Sequence, residues 1–446
     1  MKLRSFNDRK GSTLKPIFSF IFTILLLAAP GVVAAKDNPL SPKDRVKVFD
    51  QVWRDINENY YSDKFNGVDW SKAYQRYRPQ IEAARDDQEF YAILRKMVGE
   101  LHDTHTRVHT PEERAYREHK QGVTVGVRLY EIEGKPTVIY VARQSEAEEQ
   151  GVKPGMQVLA IDGVDIAQRV VKTRDLLGAM SSDRALETSV YGRLLRGEPG
   201  SIVSIRLQGL DGRIFTVSLK RRIVDAAAQV TYKRLEGGFG YIKLTAWESP
   251  ADFQFAAAMT ELRDAPGLII DLRGNGGGEA GIVFKIASMF FKERISLGKF
   301  ITRGGRVSET FSTPHKENVY DGPVTILVDE ISASGSELFA GVMQEYGRAR
   351  VIGRESCGCL LVIQNLRKLR GGGELTVSEL DVQTPKGKRL EGDGVIPDQV
   401  VPLTRNDLMN GRDAVMEAAV RKLIAEAHSN KSEKNVQRVQ TPTEKP

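Results

Sequence analysis

Two glycine- and serine-rich passages in the second half of the chain carry residue types suited to stabilising negative charge. The first, Gly267-Leu-Ile-Ile-Asp-Leu-Arg-Gly-Asn-Gly-Gly-Gly278, runs an apolar strand straight into three glycines. Backbone amides in such a turn are not screened by side chains, so they can cradle a phosphate or a developing oxyanion. The passage lacks both the Gly-Lys-Ser/Thr of a phosphate loop and the spacing of a dinucleotide fingerprint. The second passage, Ile331-Ser-Ala-Ser-Gly-Ser-Glu-Leu-Phe-Ala-Gly-Val-Met343, follows directly on the apolar run VTILV. Small residues at a strand-to-helix turn let a hydroxyl project at the helix N-terminus, whose positive end favours a developing anion. By themselves Ser332, Ser334 and Ser336 read as caps, since serine is a preferred N-cap.

Elements of fixed position must hold these turns. From residue 223 onward strand and helix patterns alternate: Gly240–Leu244, a helix near Asp252–Arg263, Gly267–Leu272, a helix through Met289, Val324–Val328, then a helix from Ser336. The runs LIIDL and TILV are nearly continuous in apolar residues, which predicts a sheet buried on both faces. Residues from about 40 to 118 read helical, with Val46, Phe49, Val52, Trp53 and Ile56 at helical spacing and Pro42 suited to a first turn. Residues 120–222 read as a small mixed domain of short strands at Thr137–Val141, Ser201–Leu207 and Ile214–Leu219. The tail after about His428 is polar and aperiodic, which predicts disorder.

Within the middle region, Gly151 to Gly163 combine a turn, a strand and a second turn, with Pro154 presetting φ and glycines open to positive φ. With Val125, Gly126 and Val127 upstream, this resembles the PDZ domain of secreted bacterial proteases. The resemblance implies capture of an extended C-terminal peptide at a sheet edge, its carboxylate held by the amides of Val125–Val127. A module that only spaces its neighbours is the alternative.

Taken together, the helical N-terminal region, the PDZ-like region, DLRGNGGG, ISASGSE, VIGRESCG and LEGDGVIPD resemble, in order, the tail-specific or C-terminal processing serine peptidases. The resemblance covers almost all of residues 40–405 and implies Ser334 as nucleophile. It implies multidomain α/β and α+β architecture: signal peptide over 1–35, helical region 36–119, PDZ-like β-rich domain 120–222, a peptidase core with ββα units over 223–410, and a C-terminal helix and tail over 411–446. The best-known branch uses a lysine base in the turn after VIG; here that place is held by Cys359, and a neutral thiol is a poor substitute for a lysine amine. The segment Asp103-Thr-His-Thr106 resembles the D-x-H-T segment of the tricorn-like branch, whose base is a histidine steered by a glutamate. That likeness implies His105 as base and Glu391, three residues before Gly394-Val-Ile-Pro-Asp398, as its orienting partner. Gly335 and Gly277 are the expected oxyanion donors. Cys357 and Cys359 would close a very tight ring, so they read as small residues lining the turn.

Composition narrows the alternatives. Four of the seven net positive charges lie in the first fifteen residues, ahead of the apolar run Ile17–Ala29 and small residues at Val33–Ala35. That pattern predicts a secretory signal peptide and disfavours nucleic acid as a partner. The apolar run is too short for the roughly 20 residues that span a bilayer, so no stable membrane span is expected after cleavage. Two cysteines cannot form a four-cysteine zinc site, and neither metal nor cofactor is expected. The sequence thus predicts an exported, periplasmic or cell-envelope serine endopeptidase acting on proteins or peptides. An inactive PDZ-bearing scaffold and a small-ligand carrier are the competing readings, with an adaptor or a second copy of the chain as further partners.

Overall fold

The computed structural model describes residues 39–426; the expected signal segment and most of the polar tail lie outside the described residues. Ser41 starts the first helix, Pro42–Asn59, by accepting the N–H of Asp44, and Pro42 occupies the first turn, as its fixed φ favours. With the helices Trp70–Ala83 and Asp87–Gly99 it buries Phe49, Val52, Ile56, Leu94 and Met97 against Leu369, Leu375 and Val377. The N-terminal region is therefore packed on the far end of the chain. It also contributes a strand: Arg107–His109 pairs antiparallel with Glu374–Thr376, Arg107 opposite Thr376.

The middle region is built on strands Val127–Ile132, Lys135–Val141, Gln157–Ile161, Ile202–Gln208 and Ile214–Lys220, paired in that spatial order. Val127–Ile132 stands at an edge. Two helices, Ile166–Leu177 and Asp183–Arg193, accompany the sheet where sequence pattern picks out only strands. A ribbon of Gln121–Thr124 against Arg222–Asp225 ties the entering and leaving chain together.

The third region carries a six-stranded sheet in the order Val230–Arg234, Gly240–Leu244, Leu268–Asp271, Val324–Val328, Arg350–Gly353, Gln399–Val400. Only the first pair is antiparallel. Successive side chains on a strand point to opposite faces, and both faces are covered. Ile242, Ile270 and Ile326 meet Phe255, Val283 and Phe339 from the helices Ala251–Glu261, Ala280–Ala287 and Gly335–Glu345. Ile269, Leu327 and Ile352 meet Val415, Ala419 and Leu423 of a helix beginning at residue 414. Covering on both sides is why these strands lack polar alternation.

Candidate active site

Parallel neighbours end at the same edge, so Leu268–Asp271, Val324–Val328 and Arg350–Gly353 deliver their following loops to one place. Buried Asp329 joins two of them: its Oδ1 accepts from Gly274 N–H at 2.9 Å and from Ile331 and Ser332 N–H at 3.1 Å. Ser332 Oγ donates to Leu272 O at 2.9 Å, and Ser336 Oγ donates to Asn275 O at 3.0 Å while accepting from Trp247 Nε1 at 2.9 Å. Both hydroxyls are buried and spent on positioning. Ser334 differs.

Ser334 sits between strand and helix at φ 53° and ψ −112°. For a residue with a Cβ that region costs about 1–3 kcal/mol, and it is the sharp strand-to-helix turn that thrusts a serine forward in nucleophile elbows. Its N–H is held by Cys359 O at 2.9 Å and Glu337 Oε2 at 2.9 Å. Gly335, the first helical residue, has an N–H that no described residue accepts, and the same holds for Gly276. Gly277 departs from expectation. Its N–H donates to Asn275 Oδ1 at 2.9 Å, which commits that amide. Its missing side chain matters instead: at φ +104° a Cβ would lie 2.6 Å from the Ser334 Cβ.

The third loop overturns the cysteine reading. Cys357 and Cys359 form a disulfide with Cα atoms 5.3 Å apart, within the ordinary range. The expected tight ring closes because Gly358, at φ +72°, folds the chain back between them. Fully buried Glu337 accepts from Ser356 Oγ at 2.6 Å, Gly358 N–H at 2.7 Å and Cys359 N–H at 2.9 Å, besides Ser334 N–H. Burial raises its carboxyl above the ordinary range even against these donors.

His105 lies just before the Arg107–His109 strand, its N–H on Asp103 Oδ1 at 2.8 Å and its carbonyl accepting from Thr376 Oγ1 at 2.7 Å. Burial lowers its pKa, partly offset by Asp103, and its Nδ1 is buried without a partner. Glu391 accepts from Leu360 N–H at 2.6 Å and from the Ser181 hydroxyl. Ser181 Oγ in turn accepts Thr104 N–H at 2.9 Å, so one serine bridges the histidine segment and Glu391. Burial, then the like charge of Asp103, pushes Glu391 up to about 8. Among the described residues no hydrogen bond joins the His105 ring to Ser334 or Glu391.

Sequence reasoning missed the contribution of the middle region. Arg184, in the first turn of Asp183–Arg193, donates to Ser356 O at 2.7 Å, Asp393 O at 2.6 Å and Glu355 at 2.9 Å, and Ser182 Oγ donates to Cys357 O. Its only sequence mark is the Ser182 N-cap, a commonplace signal. Of the other expected residues, Val125 and Gly126 precede, and Val127 begins, the edge strand Val127–Ile132. Val125 and Val127 are buried, and Gly126 at φ +77° gives its N–H to Thr124 Oγ1 at 3.0 Å.

Residues 238–401 match the model for Peptidase family S41, and residues 41–99 match the Tricorn protease C1 domain. The chain therefore carries the catalytic domain of a serine-type peptidase. The chain is 28% identical over 431 residues to the carboxyl-terminal-processing protease of Synechocystis sp., covering 92% of this chain and 94% of the relative. The enzyme of the same name from Picosynechococcus sp. is 29% identical, with 85% and 88% covered. Among solved structures, the photosystem II D1 C-terminal processing protease aligns with TM-score 0.56 at 26% identity, covering 81% of this chain and 93% of that one. Mature CPAF shares the fold at TM-score 0.69 and 14% identity, with 87% and 98% covered. No helix among the described residues is long and apolar enough to cross a membrane.

Proposed function

We propose that this S41 domain makes the protein an exported serine endopeptidase of protein or peptide chains, working through Ser334, His105 and Glu391. The observation that carries it is the backbone of Ser334, strained at a helix N-terminus beside the unclaimed amide of Gly335. In the reaction the Ser334 hydroxyl attacks the scissile carbonyl while His105 takes its proton. The buried Nδ1 is the donor a closing Glu391 carboxylate would satisfy, which leaves Nε2 for that proton. The N–H groups of Gly335 and Gly276 receive the oxyanion; each such donor typically contributes about 3 kcal/mol in the transition state. The imidazolium then protonates the leaving amine, and water frees the acyl group by the reverse route.

The middle region acts as a PDZ domain in this reading, adding a substrate's C-terminal strand to the edge at Val127–Ile132. Export rests on the charged start and apolar run at Ile17–Ala29. A fluorophosphonate probe tests the centre. Modification mapped to Ser334, absent in Ser334→Ala and strongly slowed in His105→Ala, is the expected result. A folded protein that takes no label and cuts no peptide would favour the scaffold reading instead.

A further inference from the structure

The chemistry of the third loop points beyond peptide cleavage. We propose that Cys357–Cys359 is a reversible thiol–disulfide site whose oxidised form holds the nucleophile turn in its competent shape. This rests on the peptidase reading above only for its functional readout.

Every backbone group of the ring is engaged with a part of the site. Cys357 N–H donates to Ser332 O at 3.0 Å, Gly358 O accepts from Gly392 N–H at 2.9 Å, and Cys359 O accepts from Ser334 N–H at 2.9 Å. Gly358 and Cys359 N–H both reach Glu337. The next residue, Leu360, donates to Glu391. A covalent link across three residues thus fixes the acceptor that holds Ser334 in a disfavoured region. The position where related peptidases keep a lysine here holds a redox couple.

Conversion needs an external dithiol, and the atoms balance simply. Its thiolate attacks a ring sulfur, giving a mixed disulfide and a cysteine thiolate. The dithiol's second sulfur then displaces the remaining cysteine, so two electrons and two protons pass to the protein and the dithiol leaves oxidised. Cys357 is the point of entry, being 6% exposed against 1% for Cys359. With the link open, Gly358 at positive φ is free to relax, and the Cys359 carbonyl has no covalent reason to stay under Ser334. A misplacement near 1 Å at a catalytic group costs on the order of 100-fold in rate.

The full-length protein is assayed oxidised, then after reduction with a phosphine that is removed before assay, with free thiols counted. Peptide turnover is expected to fall on the order of 100-fold on reduction and to return on reoxidation. Hydrogen exchange of segments 332–337 and 354–360 should accelerate in the reduced form. Cys357→Ala/Cys359→Ala should behave like the reduced protein and ignore the reductant. Reduced wild type, with its thiols confirmed, exchanging at the oxidised rate in both segments would overturn the proposal. Measurable and equal turnover in the two states would do the same. If neither state cuts peptides but exchange still responds to reduction, the peptidase reading fails and the coupling of ring to turn stands.

Discussion

Glu391 holds its proton up to about 8, because burial and the negative charge of Asp103 outweigh Arg389 and the bonds from Ser181 and Leu360. In that state it cannot accept the imidazole N–H as a carboxylate. His105 titrates the other way, neutral through ordinary pH because burial disfavours its cation. The rate of peptide cleavage is therefore expected to rise through a pH near 8, above the usual histidine value of about 6.5. Asp103→Asn removes a like charge, so the limb should move to lower pH in a kcat/KM profile; a limb that stays put removes Asp103 from its cause. The serine turn was legible in sequence because small residues after an apolar strand leave few other geometries. Glu391's proton and the cysteine pairing were not, since burial and the fold of Gly358 depend on contacts far along the chain.

At the scale of elements, two substitutions separate geometry from chemistry. Gly277→Ala would place a Cβ 2.6 Å from that of Ser334 at a backbone angle of +104°. The expected result is a loss on the order of 100-fold in kcat with a stability cost of about 1–3 kcal/mol, read from kinetics and thermal unfolding together. Arg184→Ala removes a guanidinium that reaches Glu355, Ser356 and Asp393. Its kcat should fall while fluorophosphonate still finds Ser334, more slowly. The strands Gly240–Leu244 and Val324–Val328 could be read to the residue from their apolar runs and flanking glycine or proline. The helix carrying Arg184 could not. Its partners lie 171 to 209 residues away, and its first turn shows only a cap.

Across the whole molecule, residues from all three regions meet around the loops at one edge of one sheet: Thr104 from the first, Ser181 and Arg184 from the second, Ser356, Leu360 and Glu391 from the third. Peptide capture is testable with full-length Ser334→Ala, which cannot consume its ligand by the proposed route. Free-acid peptides are expected to bind more tightly than C-terminal amides, because a charge-assisted contact is lost. Equal affinity would leave the middle region a spacer. The order of regions was legible from motif order, but their convergence was not, because a sequence pattern carries no information on which loop faces which.

The strained backbone of Ser334 is held by acceptors at Glu337 and Cys359, and the turn beside it by Leu272 and Asn275. Those partners run from Leu272 to Cys359, and the histidine lies far upstream of them. A chain still being synthesised carries the serine before it carries Glu337 and Cys359, the acceptors of its N–H. A chain that stops short of Cys359 therefore carries the serine without the carbonyl that holds its turn.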